Sequence, residues 1–178
     1  IGRLVVAGRT DAGVHAAHQV CHVDVDDFLL QRLVGHGDME WDDAMTRRLN
    51  HLLPGDIRIR RVSAAPAGFD ARFSALDRVY VYRLVDGDGV VDPRLRGFVS
   101  SCRHRLDLDA MNEAARSMVG LHDFGSFAIP NPHGTTIRNV LEASGRRIGP
   151  YRGGFMGGSG TEVAEFTVHA DGFAHNMV

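Results

Sequence analysis

Leu4-Val5-Val6-Ala7-Gly8-Arg9-Thr10-Asp11-Ala12-Gly13-Val14-His15 is an apolar run that ends on glycine and releases two opposite charges into a glycine-bounded turn. Such a run reads as a buried strand feeding a tight loop. In an extended segment residues two apart share a side, so Arg9 and Asp11 face one pocket together. A guanidinium beside a carboxylate favours the ionised form, and a positioned, charged carboxylate suits a nucleophile or a base. Thr10 to Gly13 are also ordinary turn formers, with Asp11 capping backbone N–H groups and Arg9 as a surface partner. On chemistry alone the turn is the commoner explanation, because local side-chain to backbone bonding is frequent in such loops.

Outward from this stretch, 178 residues with 44% hydrophobic content suffice for one sizeable core or two small ones. Cys21 and Cys102 make neither a disulfide framework nor a zinc spacing, which fits a reducing, cytoplasmic setting. No apolar run has the length of a membrane span and no signal peptide is recognisable, so no membrane partner is expected. The formal charge of −2 argues against a uniformly basic nucleic-acid binder. All 20 basic residues are nevertheless Arg, and arginine forks hold phosphate in bidentate fashion, so a local Arg-lined cleft is compatible with the acidic total. A codon-usage bias toward Arg explains the same count equally well. The opening on Ile1 and the stop at Asn176-Met177-Val178 read as the ends of a fragment.

Gln19 to Asp26 alternates, which predicts a half-buried strand with Cys21, Val23 and Val25 on one side and His22, Asp24 and Asp26 on the other. His15, His18 and His22 fall on mixed faces of such a strand, so no metal site is expected. Trp41, Ala44, Met45, Leu49, Leu52 and Leu53 recur at helical spacing, and Pro54-Gly55 ends that helix. Ile57 to Val62 reads as a strand with a strongly basic outer side. Ala64 to Gly68 is the expected linker between two halves, residues 1–67 and 68–178.

Arg78 to Val85 alternates again and puts Tyr80 and Tyr82 on one face, flanked by Arg72, Arg78 and Arg83. This pair is either a platform on which bases stack, at roughly 1–3 kcal/mol each, or two core tyrosines of an amphipathic strand. Asp86 to Gly89 reads as a turn. Asp107 is placed to cap a helix to Val119 with Met111, Ala114, Ala115 and Met118 inward. Phe124 and Phe127 are expected to anchor the loop that follows, and Thr136 to Ile148 to form a strand with Arg138, Arg146 and Arg147 outward. Gly153, Gly154, Gly157, Gly158 and Gly160 suggest a hairpin tip without a dinucleotide fingerprint. Glu162 to Ala170 reads as a last strand. Half-polar strands alternating with helices favour a largely antiparallel α/β (α+β) architecture in two units.

Five stretches resemble, in order, elements of the tRNA pseudouridine synthase A (TruA) family: Ala7-Gly-Arg-Thr-Asp-Ala-Gly-Val-His-Ala16, Asn50-x-x-Leu-Pro-x-Asp-Ile57, Phe69-x-Ala-Arg-x-Ser74 with Tyr80-x-Tyr82, Gly120-x-His-Asp-Phe-x-x-Phe127 and Phe173-Ala-His-Asn-Met-Val178. The resemblance implies a pseudouridine synthase fold, two ferredoxin-like α/β subdomains truncated at both ends. It implies a cofactor-free isomerase that converts uridines at positions 38–40 of the tRNA anticodon arm to pseudouridine, acting as a homodimer. By resemblance Asp11 is the nucleophile, toward ribose or base; Arg9 pairs with it; and Tyr80 stacks on the extruded uracil. Flipping a paired base costs a few kcal/mol, which phosphate contacts offset. Arg58, Arg60, Arg72 and Arg78 are the supporting candidates. Two other readings stay open. One is a non-catalytic RNA-binding module of this fold; the other is a small-molecule α/β enzyme using the Gly8–Gly13 loop for phosphate, although no P-loop ending supports it.

Overall fold

The structure, a computed structural model, describes residues 2–34, 39–129, 134–149 and 162–178. The predicted glycine-rich hairpin tip at 153–160 lies outside the described residues. The fold is mixed α/β and divides into two compact units, Ile1–Arg9 with Ala16–Ala75, and Thr10–His15 with Leu76–Val178.

The first unit opens with a short antiparallel pair, β1 (Val5–Val6) and β2 (Cys21–His22). Hydrogen bonds from Gly2 to the Asp24 carbonyl (2.7 Å) and from Ala7 to the Val20 carbonyl (2.9 Å) extend the pairing on both sides. The ladder is shorter than the alternation of 19–26 predicts. Cys21 is exposed rather than inward, and His22 is half-buried because its Nδ1 accepts the Ala71 N–H at 2.9 Å. The chain then enters α1 (Asp27–Val34), a helix missing from the sequence reading although Leu29, Leu30, Leu33 and Val34 recur at helical spacing. It packs on α2 (Trp41–Leu52), which ends where Leu53 turns extended before Pro54.

No strand forms at Ile57–Val62, contrary to the alternation there. The N–H and C=O of Ile59 go instead to the Asn50 side chain on α2, each at 2.8 Å, so a side-chain amide stands in for a neighbouring strand. Downstream, the Asp70 carboxylate accepts from Arg72 and Phe73 N–H groups while the Ser74 hydroxyl accepts from Asp70 N–H. This reciprocal turn seats Ala71, which is almost fully buried, beside His22.

The second unit is a five-stranded sheet. Its strands are β3 (Arg78–Asp86), β4 (Ser100–Cys102), β5 (Gly120–Asp123), β6 (Ile137–Ile148) and β7 (Val163–Ala170), in the order β4-β3-β7-β6-β5. Among the described strands only β3 and β4 run parallel, joined by a crossover through a short 3-10 turn at Pro93–Leu95. A bulge between Val140 and Glu142 releases Leu141 from the β6–β7 ladder. Helix α3 (Leu108–Arg116) covers one face, its N-terminus capped by the Asp107 carboxylate on Asp109 and Ala110 N–H groups.

The main core joins Ala115 of α3 to Phe124, Val140, Ala143 and Ala170, with Met118, Phe166, Val168, Phe173 and Met177 packed around them. Ala114, expected inward, is exposed, whereas Ala115 is buried as expected and Asn112 turns to the sheet, where it bonds Gly145. A smaller cluster of Val85, Leu95 and Val163 fills the crossover. Phe124 anchors its loop as expected, but Phe127 does not, remaining 62% exposed.

Candidate functional site

Asp11 lies at the start of a turn in which its backbone carbonyl accepts the Val14 N–H at 3.0 Å. Its side chain is exposed and, among the described residues, accepts no hydrogen bond, so the turn does not use the carboxylate as a cap. Gly13, at a φ of 81°, supplies the left-handed residue that the turn requires. The loop neck is closed by Gln19, whose side-chain amide brackets the backbone of Gly8. Arg9, exposed, closes the segment of the first unit that leads into the loop, whereas Thr10 to His15 fold with the second unit.

In that second unit, the His15 ring sits against the turn before β4. Its Nε2 lies 2.8 Å from the Gly97 carbonyl oxygen, and its plane stacks on Phe98 at 4.4 Å between centroids. The sequence reading places His15 in the loop motif and sets it aside as a metal ligand, but does not find this contact. The pairing is long-range, with no local signal beyond an aromatic and a glycine 82 residues away. Among the described residues no group of three His, Cys, Asp or Glu is arranged to hold a metal ion.

The two tyrosines of β3 share a strand face but not an environment. Tyr80 is half-buried, edge-on to Phe173 at 4.8 Å and 82° between planes. Tyr82 is 53% exposed and donates its hydroxyl hydrogen to Ser100 Oγ at 3.2 Å. Tyr80 therefore abuts Phe173 of the Phe173-Ala-His-Asn-Met-Val segment. Arg78 begins the same strand, and Arg138 projects from β6. Arg78 Nη1 and Arg138 Nε each come within 3.8 Å of the point a Cβ on Gly172 would occupy, so two guanidinium groups flank a residue with no side chain.

The remaining candidates belong to the first unit. Arg58 and Arg60 are exposed, with Arg58 Nη1 donating to its neighbour's carbonyl at Ile57. Arg72 places its guanidinium 5.4 Å from the Phe73 ring centroid. Thus Asp11, Tyr80 and Arg78 share the second unit, while Arg9, Arg58, Arg60 and Arg72 lie in the first.

Two charged assemblies in the second unit were not anticipated. Asp86, 3% exposed, accepts both Arg147 Nη1 and Nη2 at 2.7 Å and the Leu106 N–H at 2.6 Å. The Arg147 hydrogen bonds hold its carboxyl well below the usual carboxylate range despite burial, and the same pairing raises the Arg147 pKa. Arg147 was expected outward; the buried carboxylate turns it in. Glu165, 5% exposed, sits between Arg83 (2.8 Å) and Arg146 (2.7 Å) across three adjacent strands. Burial pushes its pKa up, but hydrogen bonds from Arg146 and Arg83 outweigh it and the net shift is downward. The motif around His122 is likewise structural. The Asp123 carboxylate, lowered by hydrogen bonds from Thr136 and the Gly125 N–H, fastens the start of β6 to the end of β5.

With this geometry in place, the comparisons with known proteins are direct. A family model described as tRNA pseudouridine synthase matches residues 114–178. The chain is 53% identical to the tRNA pseudouridine synthase A of Bifidobacterium longum over 189 residues, covering 99% of this chain and 61% of that protein. The namesake protein of Bifidobacterium animalis subsp. lactis is 53% identical over 185 residues, at 99% and 62% coverage. That of Streptomyces griseus is 47% identical over 175 residues, at 98% and 55% coverage. The chain thus spans about three fifths of the length of the curated relatives it matches.

Proposed function

This chain belongs, along the length it spans, to the tRNA pseudouridine synthase A family, and from that premise we propose that its protein isomerises uridine to pseudouridine in tRNA. The reaction breaks the bond from ribose C1′ to uracil N1, turns the base, and rejoins C1′ to C5, with one proton lost from C5 and one gained at N1. Asp11 is the nucleophile, toward ribose or base, and Arg9 is its partner in the substrate complex. Tyr80 stacks on the extruded uracil. Arg58, Arg60, Arg72 and Arg78 hold phosphates, the targets being uridines 38–40 of the anticodon stem-loop. The protein works without a cofactor, as a cytoplasmic homodimer.

The observation that carries this reading is the state of Asp11. Its carboxylate is exposed and spends no hydrogen bond on its own turn, which leaves it available to a reacting carbon. A carboxylate used as a cap would be engaged with backbone N–H groups.

The test is release of tritium from C5-labelled uridine in tRNA by the full-length protein and by its Asp11→Asn variant. Release by the wild type that disappears in the variant, with tRNA still bound, supports an enzyme with an aspartate nucleophile. Binding of tRNA by the wild type with no release would instead identify a non-catalytic RNA-binding relative.

A further inference from the structure

The segment Thr10 to His15 is tied to the rest of its unit through His15. Among the described residues, its hydrogen bonds and ring contacts outside itself are those of His15 to Gly97 and Phe98. A carbonyl oxygen only accepts, so the His15 Nε2 carries a proton and donates to Gly97. Gly97 has a φ of +93°, a left-handed conformation that turns its carbonyl toward the ring and that a side chain rarely tolerates. The stacking on Phe98, with 27° between planes, fixes the ring against rotation.

His15 is connected to Asp11 by a closed turn rather than a free tether. The Val14 N–H to Asp11 C=O bond and the left-handed Gly13 lie between them. At the other end, Gln19 and the Ala7–Val20 bond close the loop neck. A ring seated at position 15 therefore restrains the backbone at position 11, although among the described residues the Asp11 carboxylate accepts no hydrogen bond.

We propose that His15 is the positioning residue of the nucleophile loop: its imidazole, seated on the Gly97 carbonyl and the Phe98 ring, sets where the Asp11 carboxylate stands. This inference rests on the reading of Asp11 as the nucleophile. His15 does not touch the reacting atoms; it acts through the turn.

The test uses the full-length protein with His15→Ala, His15→Gln and Phe98→Ala, read by amide hydrogen exchange and by single-turnover and steady-state pseudouridine formation. In His15→Ala, exchange across residues 10–15 accelerates while the β3, β6 and β7 amides keep their protection. The value of kcat falls by about 100-fold, the scale of a misplaced reacting group, with KM for tRNA held. His15→Gln, which still donates to the Gly97 carbonyl, recovers part of the rate. Phe98→Ala loosens the same segment and adds little to His15→Ala, because both remove one anchor. Should His15→Ala unfold the sheet, Phe98→Ala alone decides, by loosening 10–15 or leaving it unchanged. Unchanged exchange at 10–15, or a kcat equal to wild type in an active enzyme, overturns the proposal. Loosening at 10–15 in a wild-type background that forms no pseudouridine would leave the anchor standing and remove the reading of Asp11.

Discussion

Asn112 on α3 grips the backbone of Gly145 on β6 at both polar groups, its Nδ2 donating to the carbonyl at 2.9 Å and its Oδ1 accepting the N–H at 2.6 Å. The reason is topological. β5 pairs with β6 only from Ile137 to Val140, and beyond that point no strand among the described residues lies on the outer edge of β6, where the asparagine amide takes that place. Asn50 serves Ile59 and Gln19 serves Gly8 in the same way. Asn112→Ala would strand two half-buried backbone groups and should destabilise the fold by about 1–3 kcal/mol, read as a lowered urea midpoint.

These brackets explain where the sequence was legible and where it was not. Alternation located β3, β6 and β7, and helical spacing with Pro54 and Asp107 bounded α2 and α3, because those signals are local. The same alternation at Ile57–Val62 predicted a strand that does not exist, since the pattern reports an extended half-buried chain and not the identity of its hydrogen-bond partner. Arg147 looked outward because sequence shows a charge without showing the buried Asp86 that lies 61 residues away and draws it in. At the candidate site, the Asp11 turn and the Tyr80 strand could be read from their own neighbours. The seat of His15 on Gly97 and Phe98 could not, as nothing short of tertiary structure brings those segments together.

The Asp86–Arg147 pair predicts acid sensitivity with a definite sign. The folded carboxyl titrates well below its unfolded value of about 3.9, so the stabilisation is fully present above about pH 5 and is lost as pH falls through the folded pKa. Glu165, also lowered, adds in the same direction. Asp86→Asn should lower stability at pH 7 by about 2–3 kcal/mol, less than for a fully buried pair because Arg147 is 21% exposed. Its urea midpoints at pH 7 and pH 3 should lie closer together than those of the wild type.

Two glycines offer a paired test of packing. A Cβ on Gly89 would come 2.6 Å from Val85 Cγ1 and 3.2 Å from the Asp86 carbonyl, against one of the most buried side chains in the second unit. A Cβ on Gly55 would meet nothing within 4 Å. Gly89→Ala should therefore cost about 1–3 kcal/mol by overpacking, whereas Gly55→Ala should stay within about 0.5 kcal/mol of wild type. Thermal melts of the two variants side by side would show it.

The arginines flanking Gly172 make the last prediction, which concerns RNA. Arg78 sits two residues before Tyr80 on β3, and Arg138 approaches the same glycine from β6, beside the Phe173 ring that contacts Tyr80. A phosphate held there would release condensed counterions, so its loss should appear in the salt dependence of binding rather than in affinity alone. Replacing Arg78 by Ala in the full-length protein should reduce the slope of log K against log salt for tRNA by about 0.7–0.9, the value of one phosphate contact. Arg116, exposed at the end of α3, supplies the comparison, and its Ala variant should leave that slope unchanged. If Arg78→Ala weakened binding equally at every salt concentration, Arg78 would be acting by supporting Tyr80 and the Gly172 turn, with no phosphate in its grasp.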